Sequence, residues 1–184
     1  MAAAFELANA GTDLALLPNF SQLPAFDEIH PTFAENAAGK AVHYSRLAPE
    51  KLIIADDSGL IVPALNGAPG VHSARYAGPI ATDADRVNKL IGAMQDRTGE
   101  DRRAHFICVI AAARNGTARA VISAQADGVL LEAVRGGQGF GYDPIFFFPP
   151  LRKTFAELSR EVKNQHSHRG IAFRRLLAAL SAQL

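Results

Sequence analysis

Hydrophobic and polar positions alternate along the chain in a way that predicts interleaved helices and strands. Ala2 to Ala10 consists of good helix formers and predicts a short helix stopped at Gly11. Thr12 to Leu17 predicts a strand closed by Pro18. Thr32-Phe33-Ala34-Glu35 has capping-box spacing and opens a helix running to about Leu47. Leu52-Ile53-Ile54-Ala55 is a continuous apolar run of the kind found in buried strands, and it delivers Asp56 and Asp57 to the C-terminal end of that strand.

Gly59 to Gly78 is rich in glycine and proline and predicts an ordered loop. Thr82 caps a helix reaching Gln95. Arg103–Ala113 and Thr117–Ala124 flank Asn115-Gly116, a strong hairpin signal. Asp127-Gly128 then leads into a further strand, Val129 to Glu132. Gly136 to Pro150 predicts an aromatic-rich loop, Thr154-Phe155-Ala156-Glu157 repeats the capping-box pattern, and a last helix runs from about Ser167 to Ala182. The pattern is that of one α/β domain over residues 1–184, with a mixed central sheet flanked by helices.

Composition narrows the function classes. A chain of 184 residues that is 48% hydrophobic can bury a core and is not of the disordered type. Its net charge of +1 provides no field for gripping nucleic acid, and no apolar stretch is long enough to cross a bilayer, so neither nucleic acid nor membrane is expected as a partner. The single cysteine, Cys108, lies in an apolar strand pattern and reads as a buried, inert thiol; with no signal-like start, a cytoplasmic location is expected.

Three segments could carry chemistry. In Asp56-Asp57-Ser58-Gly59, two carboxylates beside a buried strand are costly without a partner. A hard cation such as Mg²⁺ would supply one, although a turn capped by Asp and Ser explains the same residues. Adjacent strand side chains point to opposite faces, so one of the two is expected in a shared site. In Gly139-Phe140-Gly141-Tyr142-Asp143-Pro144, the glycines permit close backbone approach and the ring of Phe140 could stack on a base. Phe146-Phe147-Phe148 reads as core, and Gly136-Gly137-Gln138 does not complete a dinucleotide fingerprint. In Lys163-Asn164-Gln165-His166-Ser167-His168-Arg169-Gly170, cationic side chains gather at a helix start, suited to an anion or a polarised carbonyl. A Ser167 cap with solvated neighbours is the structural alternative, and His166 and His168 lack companions for zinc.

The ordered set of segments resembles the Ham1 or ITPase-like family, which cleaves the non-standard purine nucleoside triphosphates ITP, dITP and XTP to monophosphate and pyrophosphate. The resembling runs are Thr32–Ala37, Ala55–Leu60, Gly67–Gly78, Gly139–Phe146, Lys153–Leu158 and Ser167–Gly170. The resemblance implies an elongated two-lobed fold with a cleft, and usually a homodimer. It implies Asp57 as Mg²⁺ ligand and general base, Glu28 as second metal ligand, and Asp56 as a neighbouring second carboxylate. It implies nucleotide contacts from Ser58, a base wall of Phe140, Gly141, Tyr142 and Asp143, and base-reading groups in Lys163, His168 and Arg169. The family opens on a strand and a T/S-x-N-x-x-K loop that cradles the triphosphate. Met1 falls where the following helix is under way, so the chain is expected to be N-terminally shortened. The alternative expectations are a silent nucleotide-binding or dimerisation module, or a different metal-dependent phosphatase.

Overall fold

The structure, a computed structural model, describes residues 14–182. The expected helix Ala2–Ala10 lies outside them, as do the first residues of the expected strand Thr12–Leu17; its remaining residues, 14–17, are irregular, and a short 3₁₀ turn, Phe20–Gln22, follows.

Four α-helices and five strands follow: α1 (Phe33–Leu47), β1 (Ile53–Ile61), α2 (Asp83–Ala93), β2 (Arg103–Arg114), β3 (Thr117–Leu130), β4 (Phe146–Phe148), β5 (Lys153–Thr154), α3 (Arg160–His166) and α4 (His168–Ser181). The strands form one sheet in sequence order. Every pairing among the described residues is antiparallel, so the parallel component of a mixed sheet does not arise from them.

Local signals account for much of this. Thr32 Oγ1 accepts from the Glu35 amide to start α1, Thr82 and Asp85 form a capping box on α2, and Ser167 accepts from the Gly170 amide at α4. Asn115 and Gly116, with φ of 49° and 73°, make the two-residue turn between β2 and β3.

β2 is covered on both sides. Val109, Ala111 and Ala113 meet Phe33, Ala37 and Ala41 of α1, while Cys108, Ile110 and Ala112 meet Ala172, Phe173 and Leu176 of α4. Small residues on both partners let the helices lie close to the sheet. A second cluster at the other end joins Leu60, Leu90, Met94, Phe106, Phe146 and Phe155. No helix of the described residues is long and apolar enough to cross a membrane.

Three expectations change. β1 does not end before its aspartates but pairs with β2 as far as Ile61↔His105, placing Asp56 and Asp57 in mid-strand. Both carboxylates find polar partners from the flanking helices, so neither has to leave the sheet. The two strands expected at Thr117–Ala124 and Val129–Glu132 are one, Thr117–Leu130, continuous through Asp127-Gly128. There the missing side chain of Gly128 makes room for a neighbour: a Cβ would lie 2.5 Å from Phe146 Cζ and 2.6 Å from the Phe147 carbonyl oxygen. The predicted loop Gly136–Pro150 contains β4, in which Phe146 and Phe148 are buried, in keeping with the core reading of the triple phenylalanine.

Candidate active site

β1 organises the site. Among the described residues it pairs only with β2, so it lies at the sheet edge. Its alternation sends Asp57 toward α1, and Asp56 and Ser58 toward α4.

On the α1 face, Asp57 is buried and accepts from Asn36 Nδ2 at 3.0 Å. The same amide nitrogen donates to the His30 carbonyl at 3.2 Å, and Asn36 Oδ1 accepts the His30 amide at 3.1 Å. Asn36 thereby links Asp57 to the segment carrying Glu28. Glu28 forms an ion pair with Lys40, whose Nζ also donates to the Asp56 carbonyl at 2.9 Å. Burial raises the Asp57 carboxyl above its ordinary range; the Asn36 hydrogen bond opposes this, the Glu28 charge adds to it, and Lys40 opposes it.

Among the described residues no three His, Cys, Asp or Glu side chains gather as a cage. Two carboxylates nonetheless suit Mg²⁺, which binds through one or two carboxylates and keeps its other positions for water and substrate phosphate. The donor chemistry fits.

On the α4 face, Arg169 Nε donates to Asp56 Oδ2 at 3.2 Å and Ser58 Oγ donates to the same oxygen at 3.0 Å. Asp56 is thus turned away from Asp57. Cys108 sits beneath this group, and burial, with the Asp56 charge, pushes its thiol up to about 12; it is inert.

The guanidinium of Arg169 also lies 4.9 Å from the centre of the Phe140 ring, and Lys163 Nζ lies 4.8 Å from it. Phe140 is 50% exposed, unusual for an aromatic in a tied-down loop. Its amide donates to Asp143 Oδ2 at 2.8 Å, and Asp143 is ion-paired with Lys163. Burial raises the Asp143 carboxyl even against Lys163. Gly139 must be glycine: its φ is +82° and a Cβ would strike the Asp143 carboxylate. Tyr142 is buried, with its hydroxyl donating to the Ser73 carbonyl at 3.0 Å.

His168 is 4% exposed, with its ring stacked on Phe106 at 4.6 Å and 6°. Burial, then the Arg169 and Lys163 charges, lower its pKa well below 6.5, so the ring is neutral. Its buried Nδ1 has no hydrogen-bond partner among the described residues.

The structure therefore places Asp57 within the field of the Glu28 charge on one side of β1, and brings Asp56, Ser58, Arg169, Phe140, Lys163 and Asp143 into a continuous chain of contacts on the other. Gly141 and Tyr142 extend that loop toward α2 and toward the 3₁₀ segment Gly70–Arg75. Sequence reasoning missed Asn36 and Lys40. The signal for Asn36 was present: it lies three residues after Phe33, on the stripe shared with Ala37 and Ala41, where a buried polar group calls for a partner.

Comparison with known proteins identifies the family. The model of the Ham1 family matches residues 2–179. The dITP/XTP pyrophosphatase of Geobacillus kaustophilus is 47% identical over 169 residues, covering 92% of this chain and 82% of the relative. That of Aromatoleum aromaticum is 49% identical over 162 residues, covering 86% and 80%. Among solved structures, a HAM1 protein from Coxiella burnetii superposes with a TM-score of 0.82 at 42% identity, covering 88% of this chain and 82% of that one.

Proposed function

The chain belongs to the Ham1 family, and from that premise we propose that it hydrolyses the non-standard purine nucleoside triphosphates dITP, ITP and XTP to monophosphate and pyrophosphate, cleansing the nucleotide pool. One observation carries the reading. A half-exposed aromatic ring flanked by two cations is linked through Arg169 and Asp56 to the strand whose next residue, Asp57, is buried and feels the charge of Glu28.

In this reading the purine stacks on Phe140, in the wall completed by Gly141, Tyr142 and Asp143. Arg169 and Lys163 present donors to the base, His168 supports them from behind, and Ser58 contacts the nucleotide. A 6-oxo group accepts from such donors, whereas the 6-amino group of adenine leaves one unpaired, a difference of roughly 1–3 kcal/mol.

Glu28 and Asp57 would hold Mg²⁺, which when bound neutralises the phosphate oxygens. Asn36 donates to Asp57 Oδ2 and so orients the carboxylate, which would take a proton from water. That water's oxygen forms a bond to the α-phosphorus as the bond to the bridging oxygen breaks, and the electron pair leaves with pyrophosphate. Lys40, beside Glu28, adds positive charge where the phosphates arrive. The reading also carries a cytoplasmic homodimer, which size-exclusion chromatography with light scattering tests.

Incubating the protein with Mg²⁺ and dITP, ITP or XTP and separating the products tests the chemistry. Monophosphate and pyrophosphate in equal amounts are expected. Stepwise orthophosphate release, or binding without turnover, would overturn the assignment.

A further inference from the structure

Three successive residues of the aromatic loop are tied to three separate parts of the fold. Phe140 is held through Asp143 to Lys163 of α3, Tyr142 to the Ser73 carbonyl, and Gly141 to α2, where its amide donates to Asp83 Oδ2 at 2.7 Å. The bond from Gly141 spans 58 positions.

Asp83 is free for this task because it does not cap its own helix. Thr82 and Asp85 form the capping box, leaving the carboxylate of Asp83, at the first helical position, to bond elsewhere. Arg86 pairs with Asp83 Oδ1 and is itself fixed by the carbonyls of Ala74 at 3.0 Å and Ala81 at 2.6 Å. The arginine thus orients the carboxylate so that Oδ2 reaches the loop. Burial pulls the Asp83 carboxyl upward, but the Gly141 amide and Arg86 outweigh it, so the group is a firm anionic acceptor.

The loop needs such a tie. Gly139 and Gly141 have φ of +82° and +60°, so Phe140 stands between two left-handed glycines whose peptide planes carry little steric restraint. The plane between Phe140 and Gly141 is held at its carbonyl by a long bond from the Asp143 amide, 3.3 Å, and at its N–H by the shorter bond to Asp83, which together set the direction in which the ring leaves the backbone.

We propose that Asp83 is a positioning residue for the base-stacking ring: through the Gly141 amide it holds Phe140 against Lys163 and Arg169, and so contributes to recognition of the purine without touching it. The proposal rests on the function argued above and adds a residue on α2 to the determinants of substrate affinity.

Steady-state kinetics with dITP, calorimetric titration with dIMP and thermal melts of Asp83→Ala, Asp83→Asn and Asp85→Asn test it. Asp83→Ala should raise KM for dITP and Kd for dIMP about tenfold, the size expected for one charge-assisted hydrogen bond, with kcat within about twofold. Asp83→Asn keeps a carbonyl acceptor and should return both constants to within about threefold of wild type. Asp85→Asn weakens the same helix end without reaching the loop, so it should lower Tm and leave KM unchanged. Wild-type constants in Asp83→Ala, with only a lower Tm, would reduce Asp83 to a helix-end residue and overturn the proposal. A wild-type protein that neither binds dIMP nor hydrolyses dITP would overturn the function reading and this inference together.

Discussion

Asp56 and Asp57 are adjacent in sequence, yet their carboxylates leave β1 on opposite faces, one meeting Arg169 at 3.2 Å and the other Asn36 at 3.0 Å. The pair therefore faces two separate sets of partners. Asp57 belongs with Glu28, while Asp56 anchors the arginine beside Phe140. A single strand position separates base recognition from the carboxylates proposed to hold the cation.

Replacing Asp57 by Asn should reduce turnover of dITP by at least ~10²-fold, the usual scale for loss of a general base, while the chain still folds. The Asp57 carboxyl is raised by burial, so its ionised form is the less stable one in the fold. Its contribution to stability is present below the ordinary value of 3.8 and is lost as pH rises through the higher folded value. Without divalent cation, Asp57→Asn should therefore be more stable than wild type at pH 7, with the gap closing in acid. Melts at pH 7 and 4 in EDTA check this; a variant less stable at pH 7 would contradict it.

Some of this was legible in the sequence because the signals were local. Thr32, Thr82 and Ser167 cap their own helices, and Asn115-Gly116 turns its own hairpin. The site residues near Phe140 carried unusual local chemistry and were visible for that reason. What stayed hidden depended on distant partners. The Asn36 contact with Asp57 crosses 21 positions, and the aromatic ring that makes Gly128 a strand residue belongs to Phe146. Local propensity at Asp127-Gly128 divides the strand in two; tertiary packing carries it through.

Truncating Phe140 or Arg169 should separate affinity from chemistry. A stacked base is worth about 1–3 kcal/mol, so Phe140→Ala should raise KM for dITP roughly 5- to 150-fold and change kcat little. Arg169→Lys retains charge but loses the planar fork shared between Asp56 and the ring, so selectivity for dITP over dATP should fall about tenfold. The ratio of kcat/KM values measures this. Unaltered selectivity would remove Arg169 from base recognition.

Gly128→Ala tests the packing that the strand imposes. The added methyl would meet Phe146 Cζ and the Phe147 carbonyl at separations no real carbon adopts, within a cluster that cannot yield cheaply. Overpacking of this kind costs about 1–3 kcal/mol, which urea denaturation would detect as a lower midpoint at unchanged slope. Gly137→Ala, at a site with nothing within 4 Å and no left-handed φ, should be close to neutral.

His168 should make the fold acid-sensitive. It is stacked on Phe106 with a buried Nδ1 that has no hydrogen-bond partner among the described residues, and its folded pKa lies well below 6.5. Protonation must be paid against burial and the charges of Arg169 and Lys163. The unfolded chain takes up that proton near pH 6.5 and the folded chain does not. The stability contributed by the neutral ring is therefore complete above 6.5 and is lost as pH falls toward the folded value. His168→Phe keeps an aromatic ring over Phe106 and removes both the proton site and the unpartnered nitrogen. Between pH 6 and 5 the wild type should lose stability more steeply than this variant, by up to about 1.4 kcal/mol per pH unit, the slope of one proton. Urea unfolding across that range resolves the difference, and parallel slopes would show that His168 titrates like a solvated imidazole.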